Sequence, residues 1–440
     1  MMRRLAIALA LLLLTPVFAG TAPLDAYREV LPNGIVLLIA ERPSIPIVIV
    51  RAYARAGSVF DPPAHPGLAN LTAGLLTRGT AKRSGPDLDE AIEFVGGSLG
   101  ASAGRDGVTV SLDVLKRDLP LGLDLLAEVL LEPTFPEAEL ERTVKEIQAS
   151  LRRSENDPTH VAARTLTPLL YPGHAYGHPV AGTEASVGAL TRAQVVDFYR
   201  RHYGPEGSII AVVGDVRRDD IVREFSRRLG HWTPSAQAPR GVPPVRSDPP
   251  AVARAVTREL TQATVYLGRP VVRQDHPDYY PLQIASYILG GGSASRLYSK
   301  VREEAGLAYW VGSHVAGGRY GAAFVVSLQS RTDGAGEALR LVRTELGRMG
   351  REPVSDQELG LAKAYLIGSF PLRMDTSSEL ANLLVTVEEL GLGLDHPDRF
   401  KERVGKVTAA DVLRVARTYL DPAAFSTVTV GKVGPAEKSP

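Results

Sequence analysis

Two histidines four positions apart are a common zinc-binding pattern, and His174 and His178 stand so in His-Ala-Tyr-Gly-His. That spacing holds a metal when a helix presents both imidazoles on one face. Gly177 and Pro179 argue against a helix there, and the nearest acidic residue, Glu184, falls outside the stretch. Gly290 to Ser295 (Gly-Gly-Gly-Ser-Ala-Ser) is glycine-rich like a phosphate cradle, but it lacks the Lys-Ser/Thr ending and follows an expected helix. It reads as a loop between helices. No convincing nucleophile elbow or dinucleotide fingerprint is found. The chain has no Cys, which excludes disulfides and thiolate metal sites and leaves His, Asp and Glu as candidate ligands. Charge is balanced, with 50 Lys and Arg against 49 Asp and Glu, so no global field points to nucleic acid or an acidic substrate.

The elements that must position any chemistry are well marked. A length of 440 residues with 44% apolar content suits two domains with substantial cores. Residues 1–19 read as a cleaved secretory signal. Arg3 and Arg4 precede an apolar run from Leu5 to Leu14 that is too short to span a membrane, and Val17-Phe18-Ala19 offers a cleavage site. The expected location is periplasmic or secreted, with no stable membrane span after cleavage. Residues 232–252 are Pro-rich without apolar periodicity and read as a linker between residues 24–231 and 253–434, with 435–440 as a tail.

The two parts share a repeat. Leu190 to Val216 aligns without gaps to Val407 to Val433 at an offset of 217, matching Thr191 to Thr408, Pro205 to Pro422 and Gly214 to Gly431. Each segment has a Thr cap, an amphipathic helix, a Pro-containing turn and a β-branched strand ending at Gly. Upstream, Glu139-Leu140 corresponds to Glu358-Leu359. Within the first copy, Gly34 to Ala40 and Ile45 to Ala54 read as strands flanking a turn, and Val108 to Val114 alternates apolar with polar residues. Helices are expected at Gly67 to Thr77, Leu88 to Val95, Glu137 to Arg153 and Val161 to Leu170. Hairpin-paired strands with helices to one side predict an α+β fold: two tandem homologous α/β-sandwich domains, each an antiparallel sheet with helices packed on one side.

Leu31-Pro32-Asn33-Gly34, Ala56-Gly57-Ser58, Gly67 to Leu75 with Gly79-Thr80, Glu141 to Asp157, and Gly177 to Val180 with Gly182 follow in a telling order. In order and spacing the chain resembles the pitrilysin (insulinase) metallopeptidases, which include mitochondrial processing peptidase and its short bacterial relatives. The resemblance extends over both halves. It implies HxxEH on the helix after Gly-Leu-Ala, with two His on zinc and a Glu that activates water. At those positions this chain has Asn70, Ala73 and Gly74, and none of its nine His lies in another HxxEH. Glu146, on the helix resembling the one that carries the third ligand, survives alone. One carboxylate does not make a three-ligand zinc site, and the plainer reading of Glu146 is an ordinary surface Glu.

In the second half, Leu289 to Gly292, Ser295-Arg296-Leu297 and Arg302 to Tyr309 resemble the C-terminal motif of the same family. There an Arg and a Tyr seven positions apart reach across a chamber to zinc carried by the other half, and Arg302 and Tyr309 fit that spacing. A guanidinium can hold a substrate carbonyl or carboxylate, and a phenol can donate to an oxyanion. The alternative is structural: Arg302 pairs with Glu303 or Glu304, and Tyr309 is a strand residue with a solvated hydroxyl. The resemblance thus implies the non-zinc subunit of a heterodimer. An HxxEH-bearing two-domain partner brings the zinc, and this chain binds no cofactor itself. The rival class is a non-catalytic scaffold like the core proteins of respiratory complexes. Unfolded or extended peptides are the expected substrates, added as a strand to a sheet edge, with Ile45 to Ala54 as the candidate edge. The linker is expected to let the halves open and close.

Overall fold

The computed structural model describes residues 24–234 and 241–432. The expected signal at 1–19, part of the linker and the tail at 435–440 lie outside them.

The first half contains strands β1 (Tyr27–Val30), β2 (Val36–Glu41), β3 (Ile47–Ala54), β4 (Ser98–Ala103), β5 (Val108–Leu115) and β6 (Ile209–Gly214). Its helices are α1 (Leu68–Leu75), α2 (Gly85–Phe94), α3 (Leu119–Leu131), α4 (Glu137–Ser154), α5 (Pro158–Leu170), α6 (Glu184–Gly188), α7 (Arg192–His202) and α8 (Arg218–Leu229). The second half has β7 (Ala253–Thr257), β8 (Gln262–Val271), β9 (Ala308–Gly317), β10 (Ala322–Arg331) and β11 (Ser426–Gly431). With them are α9 (Tyr279–Gly290), α10 (Ala335–Arg351), α11 (Asp356–Ser369), α12 (Ser377–Glu389), α13 (His396–Lys406) and α14 (Ala409–Tyr419).

The sheet orders are β1-β2-β6-β3-β5-β4 and β7-β11-β8-β10-β9. Without β1 the first order maps strand for strand onto the second, which is the repeat seen as topology. The offset of 217 holds to the residue, because α7 and α14 start and end at matching positions, as do β6 and β11. Both helices begin with a capping box, Thr191 with Gln194 and Thr408 with Asp411. In β5 the side chains alternate between buried and half-buried, as the sequence pattern requires.

The α+β fold holds, with three refinements. Each sheet is mixed, since β2 runs parallel to β6 and β7 parallel to β11. β2 and β3 do not form a hairpin, because β6 lies between them, antiparallel to β3. All six residues of β6 are buried, which is the signature of a central strand covered on both faces. Helix starts follow caps rather than apolar residues: α2 begins behind the Ser84–Asp87 capping box and α5 behind Asp157, both earlier than Leu88 and Val161.

The second face of each sheet is also covered, by a helix from the other half. Leu380, Leu384 and Val385 of α12 pack on Leu38, Ile49 and Val213 of the first sheet. Val161, Leu166 and Leu170 of α5 pack on Val325, Val428 and Val430 of the second. These two helices are repeat counterparts, so the exchange is reciprocal. A polar clasp joins the halves beside it. Tyr53 donates its hydroxyl proton to Glu389, Tyr176 donates to Asp106, and the backbone N–H of Arg319 donates to Asp106 at 2.9 Å. Arg28 holds Glu388 through two bonds of 2.9 and 2.8 Å. Opening the halves about the linker would expose both apolar layers at about 25 cal/mol per Å². The expected hinge motion would have to break both layers.

Candidate functional site

The helix that carries the expected zinc positions is firmly placed. Asp61 caps α1 by accepting from the N–H groups of Gly67 (2.8 Å) and Ala69 (2.7 Å). Gly67 and Gly182 meet at its start with φ of +98° and +71°. A Cβ on Gly182 would lie 2.4 Å from the Pro66 carbonyl oxygen, so only glycine permits this close approach. The scaffold of the site is thus intact, while its ligands are not. Asn70 is half-buried, Ala73 is buried in the core, and Gly74 faces Thr143 of α4, to which an added Cβ would lie 3.6 Å away.

Glu146 is exposed on α4 and is held by Arg142, one turn earlier, at 2.9 Å. Arg142 also bonds Glu139. A zinc ion does not fit this set: two positions lack a ligand atom of the right kind, and the remaining carboxylate is engaged by a cation. Among the described residues no three His, Asp or Glu side chains gather as a metal-binding group.

His174 and His178 do not form a metal pair either. They flank the short 3-10 turn Ala175–Gly177. His174 Nδ1 accepts from the Tyr176 N–H at 3.0 Å, which leaves Nε2 as the donor to the Pro243 carbonyl at 2.9 Å. Burial lowers the pKa of His178. Both line a cavity of about 700 Å³ walled by Phe60, Leu68, Tyr171 and Val242 of the linker.

Arg302 and Tyr309 are brought together. Arg302 lies in a π-helical turn, Tyr298–Glu304, a conformation found often at functional sites. Gly306, at φ +63°, reverses the chain, and Leu307 closes it with a 2.9 Å bond to the Val301 carbonyl. The Arg302 guanidinium carbon sits 4.8 Å from the Tyr298 ring centroid and 6.0 Å from that of Tyr309. Pairing with Glu304 does not occur, because Lys300 holds that carboxylate at 2.7 Å. Among the described residues Arg302 has no carboxylate partner. Tyr309 is 73% exposed and Trp310 beside it 49%.

A register shift explains why two successive strand residues both face solvent. β9 pairs Trp310 with Gln329 and then Ala308 with Ser330, so Tyr309 is the extra residue of a bulge. The family resemblance pointed to Arg302 and Tyr309 but not to the bulge, nor to Tyr298 and Trp310 as neighbours. β9 is also an edge strand. β3, the candidate peptide edge, is corrected: it lies between β6 and β5 with both sides paired. The free edges belong to β1, β4, β7 and β9, and β4 packs beside α1.

Comparison with known proteins gives concordant matches. Residues 36–184 match the family described as insulinase (peptidase family M16), and residues 189–366 match the peptidase M16 inactive domain. An uncharacterized zinc protease of Streptomyces coelicolor is 30% identical over 400 residues, covering 89% of this chain and 87% of that protein. One from Mycobacterium tuberculosis is 30% identical over 409 residues, covering 91% and 92%. A crystal structure of a peptidase M16 inactive domain from Pseudomonas fluorescens superposes with a TM-score of 0.87 at 26% identity, covering 94% of this chain and 99% of that one. A protease from Helicobacter pylori shares the fold at a TM-score of 0.84 and 20% identity, covering 93% and 99%.

Proposed function

The chain belongs to the M16 (insulinase) peptidase family, and from that premise we propose that it is the non-zinc subunit of an exported two-chain peptidase. One observation carries the reading: Asn70, Ala73 and Gly74 stand where the resemblance puts the zinc motif on an intact α1, while Arg302 and Tyr309 stand together, exposed and, among the described residues, without an acidic partner. An HxxEH-bearing family member supplies the metal. This chain supplies half of the chamber, a guanidinium to hold a substrate carbonyl or carboxylate, and a phenol to donate to the oxyanion. The interlocked halves support this division, since two apolar layers oppose opening within the chain and leave a second chain to close the chamber. Extended peptides add to a free sheet edge, and β4 beside α1 and β9 at the clamp are the two such edges near these residues. The leader at residues 1–19 directs the chain to the periplasm or beyond. Among the described residues no helix is long and apolar enough to cross a membrane.

The isolated chain is expected to show no EDTA-sensitive peptidase activity and to raise the turnover of an HxxEH-bearing partner on mixing. Zinc-dependent turnover by the isolated chain would overturn the reading. Stable assembly without any gain in turnover would assign it the scaffold role.

A further inference from the structure

Resting on the reading that this chain handles peptides, we propose that Tyr287 and Tyr365, with Leu361, form a subsite for an aromatic or aliphatic side chain of an extended peptide. The internal repeat locates it. Glu358-Leu359 of α11 corresponds to Glu139-Leu140 of α4 at an offset of 219, and the helices that follow, α12 and α5, keep that offset at both ends. By this correspondence Tyr365 stands where α4 has Glu146, Leu361 where it has Arg142, and Ala364 where it has Lys145. The face that is charged in one copy is apolar in the other. On α11 the exposed stripe of Gln357, Gly360, Leu361, Ala364, Tyr365 and Gly368 carries no charge. Tyr365 is 51% exposed and Leu361 46%, so two large apolar side chains one turn apart stand in water on the same stripe of α11.

The rings form a platform. Tyr287, near the end of α9, stacks on Tyr365 with centroids 4.4 Å apart and planes at 25°. The glycine-rich run that follows has a steric reason. A Cβ on Gly291 would lie 2.6 Å from Tyr287 Cα, and one on Gly290 would lie 2.5 Å from the Ser313 nitrogen. Gly290 brings the end of α9 close onto β9, and Gly291 turns the chain tightly against Tyr287. Through that contact the platform is continuous with the clamp, because Gly290 abuts Gly312, over which the Trp310 indole lies at 3.2 Å from an added Cβ. A surface of three large side chains is far smaller than the roughly 20–30 residues a side of a stable chain–chain interface. It matches one planar or branched side chain of a peptide whose neighbouring residues reach Arg302 and Tyr309.

The probe is a short, unstructured, fluorescein-labelled peptide with a single Phe, compared by anisotropy with the same peptide carrying Ser in its place, against the isolated full chain. The Phe peptide is expected to bind roughly tenfold more tightly. Tyr365→Ser combined with Leu361→Ser should abolish that preference, and Tyr365→Phe should keep it. Both replaced side chains are exposed, so the fold survives and circular dichroism checks it. Equal affinity for the two peptides, or a preference that persists in the double variant, overturns the proposal. Weakened assembly with an HxxEH partner at unchanged peptide preference would assign the surface to the subunit interface and overturn it as well. Turnover by the mixed complex is not read in this binding assay, so a failed subsite and a failed clamp give different results.

Discussion

Leu384→Ala should weaken both halves of the chain together. Leu384 belongs to α12 in the second half, yet it is completely buried against Leu38, Ile49, Ile209 and Val213 of the first sheet. Truncating a buried Leu to Ala costs about 2–5 kcal/mol through lost apolar transfer and the cavity left behind. Unfolding entropy of roughly 2.1 cal/mol/K per residue amounts to about 0.8 kcal/mol/K for roughly 400 residues, so a loss of about 3 kcal/mol lowers Tm by about 4 °C. The two tryptophans allow each half to be read alone. Trp232 is 7% exposed in the first core, and Trp310 is 49% exposed on β9. Trp310→Phe leaves a reporter of the first half, and Trp232→Phe one of the second. In thermal melts followed by fluorescence, Leu384→Ala should shift both reporters by the same amount. A Trp232 transition that stays in place while that of Trp310 falls would refute the reciprocal interlock.

The clasp should carry a pH signature. Burial pushes the Glu389 carboxyl above the usual range, with hydrogen bonding from Tyr53 opposing it. The folded chain therefore binds this proton more tightly than the unfolded one. The resulting stability is complete below the ordinary Glu value of about 4.3 and is lost as pH rises through the raised folded value. Relative to the unaltered chain, Glu389→Gln should gain urea midpoint as pH rises above the ordinary Glu value, and a difference constant with pH would refute it. Rebuilding the motif with Asn70→His, Ala73→Glu and Gly74→His should leave the isolated chain without zinc-dependent peptidase activity. Ala73 is 1% exposed in the core, so its replacement buries a carboxylate, and Glu146 remains held by Arg142. Full activity with zinc would show that the support for the ligands had survived.

Much of this arrangement is legible in the sequence because it is local. Thr191 and Thr408 announce their helices through capping boxes, and the β-branched runs after Pro205 and Pro422 announce central strands, so the repeat keeps register in both. What is not legible depends on which distant element meets which. The apolar faces of α5 and α12 show that each is buried, but periodicity does not say that the cover is the other half. The insertion of β6 between β2 and β3 is hidden for the same reason, since neighbours in sequence suggest a hairpin. At the site, Arg302 with Tyr309 and the absence of His and Glu at positions 70, 73 and 74 are legible through the family resemblance. The β9 bulge is a matter of pairing and leaves no mark in composition. Tyr365 had a signal that goes unread until the repeat is extended to α4 and α11, where it faces Glu146 in alignment.

Arg302→Ala and Tyr309→Phe, each assembled with an HxxEH-bearing partner, test the division of labour most directly. Steady-state kinetics on a quenched fluorescent peptide should show kcat lowered by about 10²-fold in each variant, the loss of one group that acts on developing charge. Sedimentation should show assembly unchanged, because both side chains are exposed and neither supports the core. Turnover equal to that of the unaltered complex in both variants would contradict the clamp and leave this chain a scaffold.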